Sequence, residues 1–196
     1  MRWVLVCVLA VFPALSQEPD SEARRLVETG PVTVAGQTAQ YLIRRLPVNA
    51  FPDLPATVVA QLDQRHCLIP QSYEAHHPEN VIHGSLERAG SSDWAVLCSV
   101  NDQVSLLVFF GSAPGKPVVL ITAPEKDRLQ RHDSNGVLGF NWAIDPASPE
   151  AVHQAQSGME RRPAKIDHDA LADIVVDGKK VYRFFSKGAW KLLDMP

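Results

Sequence analysis

Apolar residues along this chain fall into short blocks broken by Gly, Pro, Asn and Asp, the pattern of strands joined by turns rather than of long helices. The densest blocks lie mid-chain: "DWAVLCSV", "VSLLVFFG" and "PVVLITA", separated only by "NDQ" and "SAPGK". Connections so short and turn-rich predict an antiparallel meander. Polar residues scarcely interrupt these runs, so both faces of the sheet should be covered, one of them by a helix that precedes Cys67. That helix is read in "DLPATVVAQLDQRH", where Asp53 stands as cap, Pro55 fits the first turn, and Val58, Val59 and Leu62 share a face.

Upstream, "VTVAG" and "QYLIRRLPV" predict a hairpin about Gly36, with strand signals beginning after Gly30. The stretch "CLIPQSYEAHHPEN" is polar and punctuated by proline, a surface loop anchored at Cys67. Further on, "EKDRLQRHDSNG" reads as a charged loop closed by Asn135 and Gly136, and "VLGFNWAI" returns to strand. A second helix is expected over "SPEAVHQAQSG", with Ser148 as cap, Pro149 first, Glu150 in the first turn and Gly158 as terminator. The C-terminal part alternates "ADIVV", an Asp177-Gly178 turn, "KVYRFF", a Lys187-Gly188 turn and "AWKLL". The sum is an α+β fold, mainly antiparallel sheet with two or three short helices, in a single compact domain.

The first residues change the picture. Arg2 and the apolar run "WVLVCVLAVFPALS", ending in small residues, have the make-up of an export signal. Residues 1–17 are therefore expected to be removed, residues 18–30 to form a flexible lead-in, and residues 31–196 to form the domain. No later segment approaches the roughly 20 apolar residues of a membrane span. Cys7 goes with the signal, which leaves Cys67 and Cys98 in a secreted or periplasmic chain, where a pair implies a disulfide. With 196 residues and 45% hydrophobic content, one core is expected. The formal charge is -3 with Lys and Arg scattered, which argues against nucleic acid or an anionic membrane as partner; a monomer is expected.

Candidate chemistry centres on "KIDHDALADIVV", which sets Asp167, Asp169 and Asp173 around and ahead of an apolar run. Oxygen ligands at alternate positions of a tight turn are what calcium requires. This segment and "GSLERAGSSDWAVL", from Gly84 to Leu97, resemble the calcium loops of FG-GAP and VCBS-like repeats, in which acidic positions precede an apolar strand. In that frame Asp167, Asp169 and Asp173 take the second, third and last acidic positions, while Lys165 and Ala170 depart from it. The other copy keeps Gly84 and Gly90, and Asp93 takes its last acidic position. The resemblance implies calcium held by Asp167, Asp169 and Asp173; from the residues themselves no cofactor is expected, and the aspartates read as side chains that bond turn amides and cap strand starts. The wider layout, a cysteine followed by "IPQ", then "NVIHGSLERAGSSDWAVLCSV" and "DHDALADIVV" before "GAW", resembles a group of small exported bacterial proteins of unknown function. That likeness implies export and one domain, and no activity.

His168 lies between two aspartates, yet neighbours in extended chain face opposite sides, so it reads as a solvated turn histidine. His66, His76, His77 and His83 lack a helical metal spacing. Ser72, Ser85, Ser91, Ser92 and Ser99 are available as nucleophiles, but no G-x-S-x-G elbow singles one out. In the pairs Phe109-Phe110 and Phe184-Phe185 one ring of each must meet a second layer, a partner or solvent, which makes these four a candidate partner surface. The chain thus reads first as an exported, non-enzymatic binding or structural module for a protein or small ligand. The alternatives are a secreted hydrolase using Asp167, His168, Asp169 and Asp173, and a calcium-stabilised module.

Overall fold

The computed structural model describes residues 26–131, 136–158 and 165–194; the expected export signal, residues 18–25 of the lead-in, and Asn135 lie outside them. Strands β1 (Val27–Val34) and β2 (Gln37–Pro47) form the expected hairpin, with Ala35 and Gly36 both at positive φ in its turn. The hairpin starts earlier than its composition suggested. Val27 to Gly30, expected in the lead-in, pair with Arg44 to Tyr41 and extend the ladder.

Helix α1 (Ala56–Gln64) sits where expected, but Pro55 rather than Asp53 is its N-cap and no side chain caps it. The segment expected to be a loop after Cys67 contains two short strands, β3 (Leu68–Gln71) and β4 (Val81–Gly84). Then come the three strands of the predicted meander, β5 (Asp93–Val100), β6 (Gln103–Phe109) and β7 (Val118–Pro124). The charged loop also holds structure: a 3-10 turn at Glu125–Arg128 followed by β8 (Leu129–Arg131). The expected single strand "VLGFNWAI" is broken at Asn141 into β9 (Leu138–Phe140) and β10 (Trp142–Ala147). Helix α2 (Pro149–Ala155) is capped as expected, with the Ala151 amide donating to Ser148 Oγ at 3.2 Å. Strands β11 (Ala170–Val175), β12 (Lys180–Ser186) and β13 (Ala189–Asp194) complete the chain through the two expected turns, where Asp177 and Lys187 adopt positive φ.

Strands β1–β9 form one nine-stranded sheet and β10–β13 a second of four. The first sheet is mixed, where a mainly antiparallel sheet is expected: β2 pairs with β9 in parallel, Tyr41 with Leu138. The chain crosses between the sheets at Asn141, and Asn80 ties them there. Its side-chain oxygen accepts from the Ile144 amide at 3.0 Å and its side-chain nitrogen donates to the Trp142 carbonyl at 3.2 Å.

The alternation of residues along the strands builds four layers. Ile43, Leu97, Leu106, Phe140, Trp142 and Leu171 belong to a core between the two sheets. On the opposite face of the first sheet Val96, Cys98, Leu107 and Phe109 pack on Val58 and Leu62 of α1. On the far face of the second, Ala170, Ala172 and Phe184 pack on Val152 of α2. The order is therefore α1, first sheet, second sheet, α2, and the meander is covered on both faces, β7 excepted. At that edge Val118 and Val119 are exposed. Among the described residues, no helix is long and apolar enough to cross a membrane.

Candidate functional site

The acidic run at 167–173 does not converge. Asp167 is exposed. Asp169 turns to the other loop of the resemblance, accepting from the Ser85 amide at 2.8 Å while its own amide donates to the Ser85 carbonyl at 3.0 Å. Gly84 makes room for that contact, since a Cβ there would stand 3.1 Å from Asp169 Oδ2. Asp173 is buried, accepting from Trp142 Nε1 at 2.7 Å and from Arg183 Nε at 2.9 Å. His168, expected in solvent, is only 8% exposed, with Nδ1 3.0 Å from the Asp169 carbonyl.

Asp93 is used in the same way. It is fully buried, accepting from the Glu87 amide, the Gly111 amide and the Ser91 hydroxyl. Continuing the β5–β6 register sets Asp93 opposite Phe110, and continuing β11–β12 sets Asp169, not Asp173, opposite Phe185. Those two phenylalanines meet each other. The rings of Phe110 and Phe185 are 4.9 Å apart and both pack against Trp190, while Phe109 and Phe184 are core residues. The aromatic pairs join the two sheets rather than forming an open patch.

A charged cluster unforeseen in the sequence lies where the β1–β2 hairpin meets the 3-10 turn at Glu125. Arg45 is 6% exposed and Glu125 1% exposed. The guanidinium donates to both oxygens of Glu125, from Nε at 2.9 Å, and to Glu28 Oε2 at 2.7 Å. The Tyr41 hydroxyl donates to the other Glu28 oxygen. Asp102 completes a group in which carboxylate oxygens of Glu28, Asp102 and Glu125 lie within 4.8 Å of one another. Glu28 and Asp102 border a cavity of about 420 Å³ together with Arg45, which already supplies the counter-charge. The signal available in the sequence was period: Tyr41, Ile43 and Arg45 share one face of β2, so an arginine occupies a core-facing position.

Burial raises the Glu28 pKa, but hydrogen bonds from Tyr41 and Arg45 outweigh it, and the carboxyl titrates below its ordinary range. Burial and the bond to Glu28 push the Tyr41 phenol up to about 12. Burial and a 2.8 Å bond to Asp177 likewise raise Tyr73 to about 12. A raised phenol contributes stability that is complete below pH 10.0 and lost as pH climbs through the folded value. Glu28 acts on the acid side, contributing above 4.5 and losing its contribution as pH falls through its lowered value. Unfolding free energy should therefore decline between pH 10 and about 12, and Tyr41→Phe with Tyr73→Phe should remove that decline together with the late phenolate absorbance.

Another cavity, about 370 Å³, opens beside the α1-side core, against residues 50–54. Its walls include Phe51, Pro52 and Pro78 with Val81 and His83 of β4 and Trp94 of β5. His83 and Trp94 are register partners, and their rings lie 4.7 Å apart at 32°. Ser92, exposed, brings its hydroxyl to 2.8 Å from Nε2 of His83, a residue of the cavity wall. None of the serines or histidines stood out in the sequence. The usable signal was hairpin geometry, because a turn between Gly84 and Asp93 folds residues 83 and 92 together. Compared with protein-family models, curated proteins and solved structures, the chain matches none.

Proposed function

We propose that this chain is an exported, disulfide-stapled module that binds a small, largely apolar ligand with a flat face in the cavity at Trp94. Export is supported by the composition of residues 1–17 and by Cys67 and Cys98, which stand at disulfide distance with Cα atoms 5.3 Å apart. The observation that carries the binding reading is the half-buried Trp94 indole, braced by His83 and set in a cavity of ligand size among Phe51, Pro52 and Pro78. Binding pockets combine such walls with a few polar groups, here His83 and Asp53. In the cavity of about 420 Å³ the charges of Glu28 and Arg45 satisfy one another.

The test is NMR titration with a panel of small aromatic and aliphatic esters and amides. Shifts centred on the Trp94 indole N–H and the 48–54 segment are expected. Trp94→Ala should weaken binding by about tenfold or more, the equivalent of about 1.4 kcal/mol. Shifts that scatter over the surface, or affinity unchanged by Trp94→Ala, would remove this reading.

A further inference from the structure

We propose that Ser92 and His83 form a nucleophile and base pair that hydrolyses small esters held in the Trp94 cavity. The inference rests on the binding reading above and adds chemistry to it. With the imidazole proton on Nδ1, His83 Nε2 accepts from the Ser92 hydroxyl at 2.8 Å, the arrangement that activates a serine. Both side chains are exposed, so this bond adds little to stability and leaves the oxygen open to a ligand.

The pair is held from both sides. His83 belongs to β4, is fixed by its register with Trp94 and lies against that indole. Ser92 sits between Ser91, whose hydroxyl donates to Asp93 and whose carbonyl accepts from Ser85 Oγ at 2.9 Å, and the fully buried Asp93 itself. Its carbonyl packs on Gly111 so closely that a Cβ there would come within 2.6 Å. A nucleophile mounted on a rigid turn beside a wall of aromatic rings meets the requirement for preorganisation. Asp53 supplies a carboxylate in the same cavity wall.

In the first step Ser92 Oγ attacks the ester carbonyl carbon and its proton passes to His83 Nε2. The bond to the alcohol oxygen breaks, and the alcohol leaves with that proton. Water, giving a proton to His83, then attacks the acyl carbon on Ser92. The acid departs, and Ser92 regains its proton from His83. Substrates are esters whose apolar portion fits about 370 Å³, with Trp94 against it.

The experiment uses the oxidised mature protein with p-nitrophenyl acetate, p-nitrophenyl butyrate and a fluorophosphonate probe. Release of p-nitrophenolate and a covalent label mapped to Ser92 are expected. Ser92→Ala should abolish the label, and His83→Gln should slow turnover by about a hundredfold and erase its dependence on pH. Gly111→Ala, which disturbs the Ser92 carbonyl without touching the pair, should also slow labelling. Turnover that survives Ser92→Ala, or no label on Ser92, overturns the proposal. NMR titration with 4-nitroacetanilide, an amide counterpart of the acetate ester, separates the two readings. Binding at Trp94 without turnover refutes the catalytic pair alone, and no binding with no turnover refutes both.

Discussion

Arg45→Ala is expected to destabilise the protein by about 3–5 kcal/mol, because it leaves the buried Glu125 carboxylate without its guanidinium. The size follows from burial. At the surface the same pair would contribute less than about 1 kcal/mol, since water would solvate whichever charge remained. Here Glu125 is 1% exposed and its two oxygens are both directed at Arg45. Its amide is already committed to the Asp102 carbonyl at 2.9 Å, so the backbone holds the carboxylate in place after Arg45 is gone. Guanidinium unfolding of Arg45→Ala and of Arg45→Met/Glu125→Leu separates charge from packing. The double variant should recover most of the loss, since a buried ion pair is often replaceable by apolar groups of similar volume. A double variant as unstable as the single one would mean that the cluster contributes through its geometry rather than through charge balance.

Reduction of Cys67–Cys98 should have an effect of similar size. The two cysteines are 31 residues apart, and closing a loop of that length in the unfolded chain corresponds to about 4 kcal/mol in the chain-entropy treatment. Both are buried in the core beneath α1, one just after the helix and the other in β5. Reduction therefore frees the helix from the sheet it covers while leaving every core atom present. The oxidised protein should be about 2 Da lighter than the reduced one, and its guanidinium midpoint should fall on reduction with no change in native fluorescence. An unchanged midpoint would show that the sulfurs lie close without contributing a cross-link.

What the sequence conveys well is whatever depends on neighbours in the chain. The meander β5–β7, the turns at Asp177-Gly178 and Lys187-Gly188, and the Ser148 cap are set by local chemistry and appear as expected. What it conveys poorly depends on pairing across distance. Strands β3 and β4 hold four residues each, too few for a period to register, and they exist because β2 and β5 offer edges to pair with. The loop at 125–128 looked solvated because it is charged, yet one of its charges is the partner that Arg45 needs. The contact of Asp169 with the 84–85 loop has the same origin. Counting acids from the glycine ignores that strand register, not spacing, decides which aspartate faces the neighbouring loop. The Ser92–His83 contact was hidden for want of that one register.

Strand β2 lies far ahead of one of its partners in the chain. One of its edges is taken at once by the adjacent β1, but the stretch at Tyr41 and Leu42 on the other edge is closed by β9, which follows the whole meander in the chain. On a chain emerging from its N-terminus, those backbone groups stay open until residue 138 is available, so this part of the sheet can close only after the meander has been delivered. Meanwhile the open edge is a template for strands of neighbouring chains. The parallel pair thus sets a window of vulnerability to aggregation whose length is the time needed to deliver and dock β9.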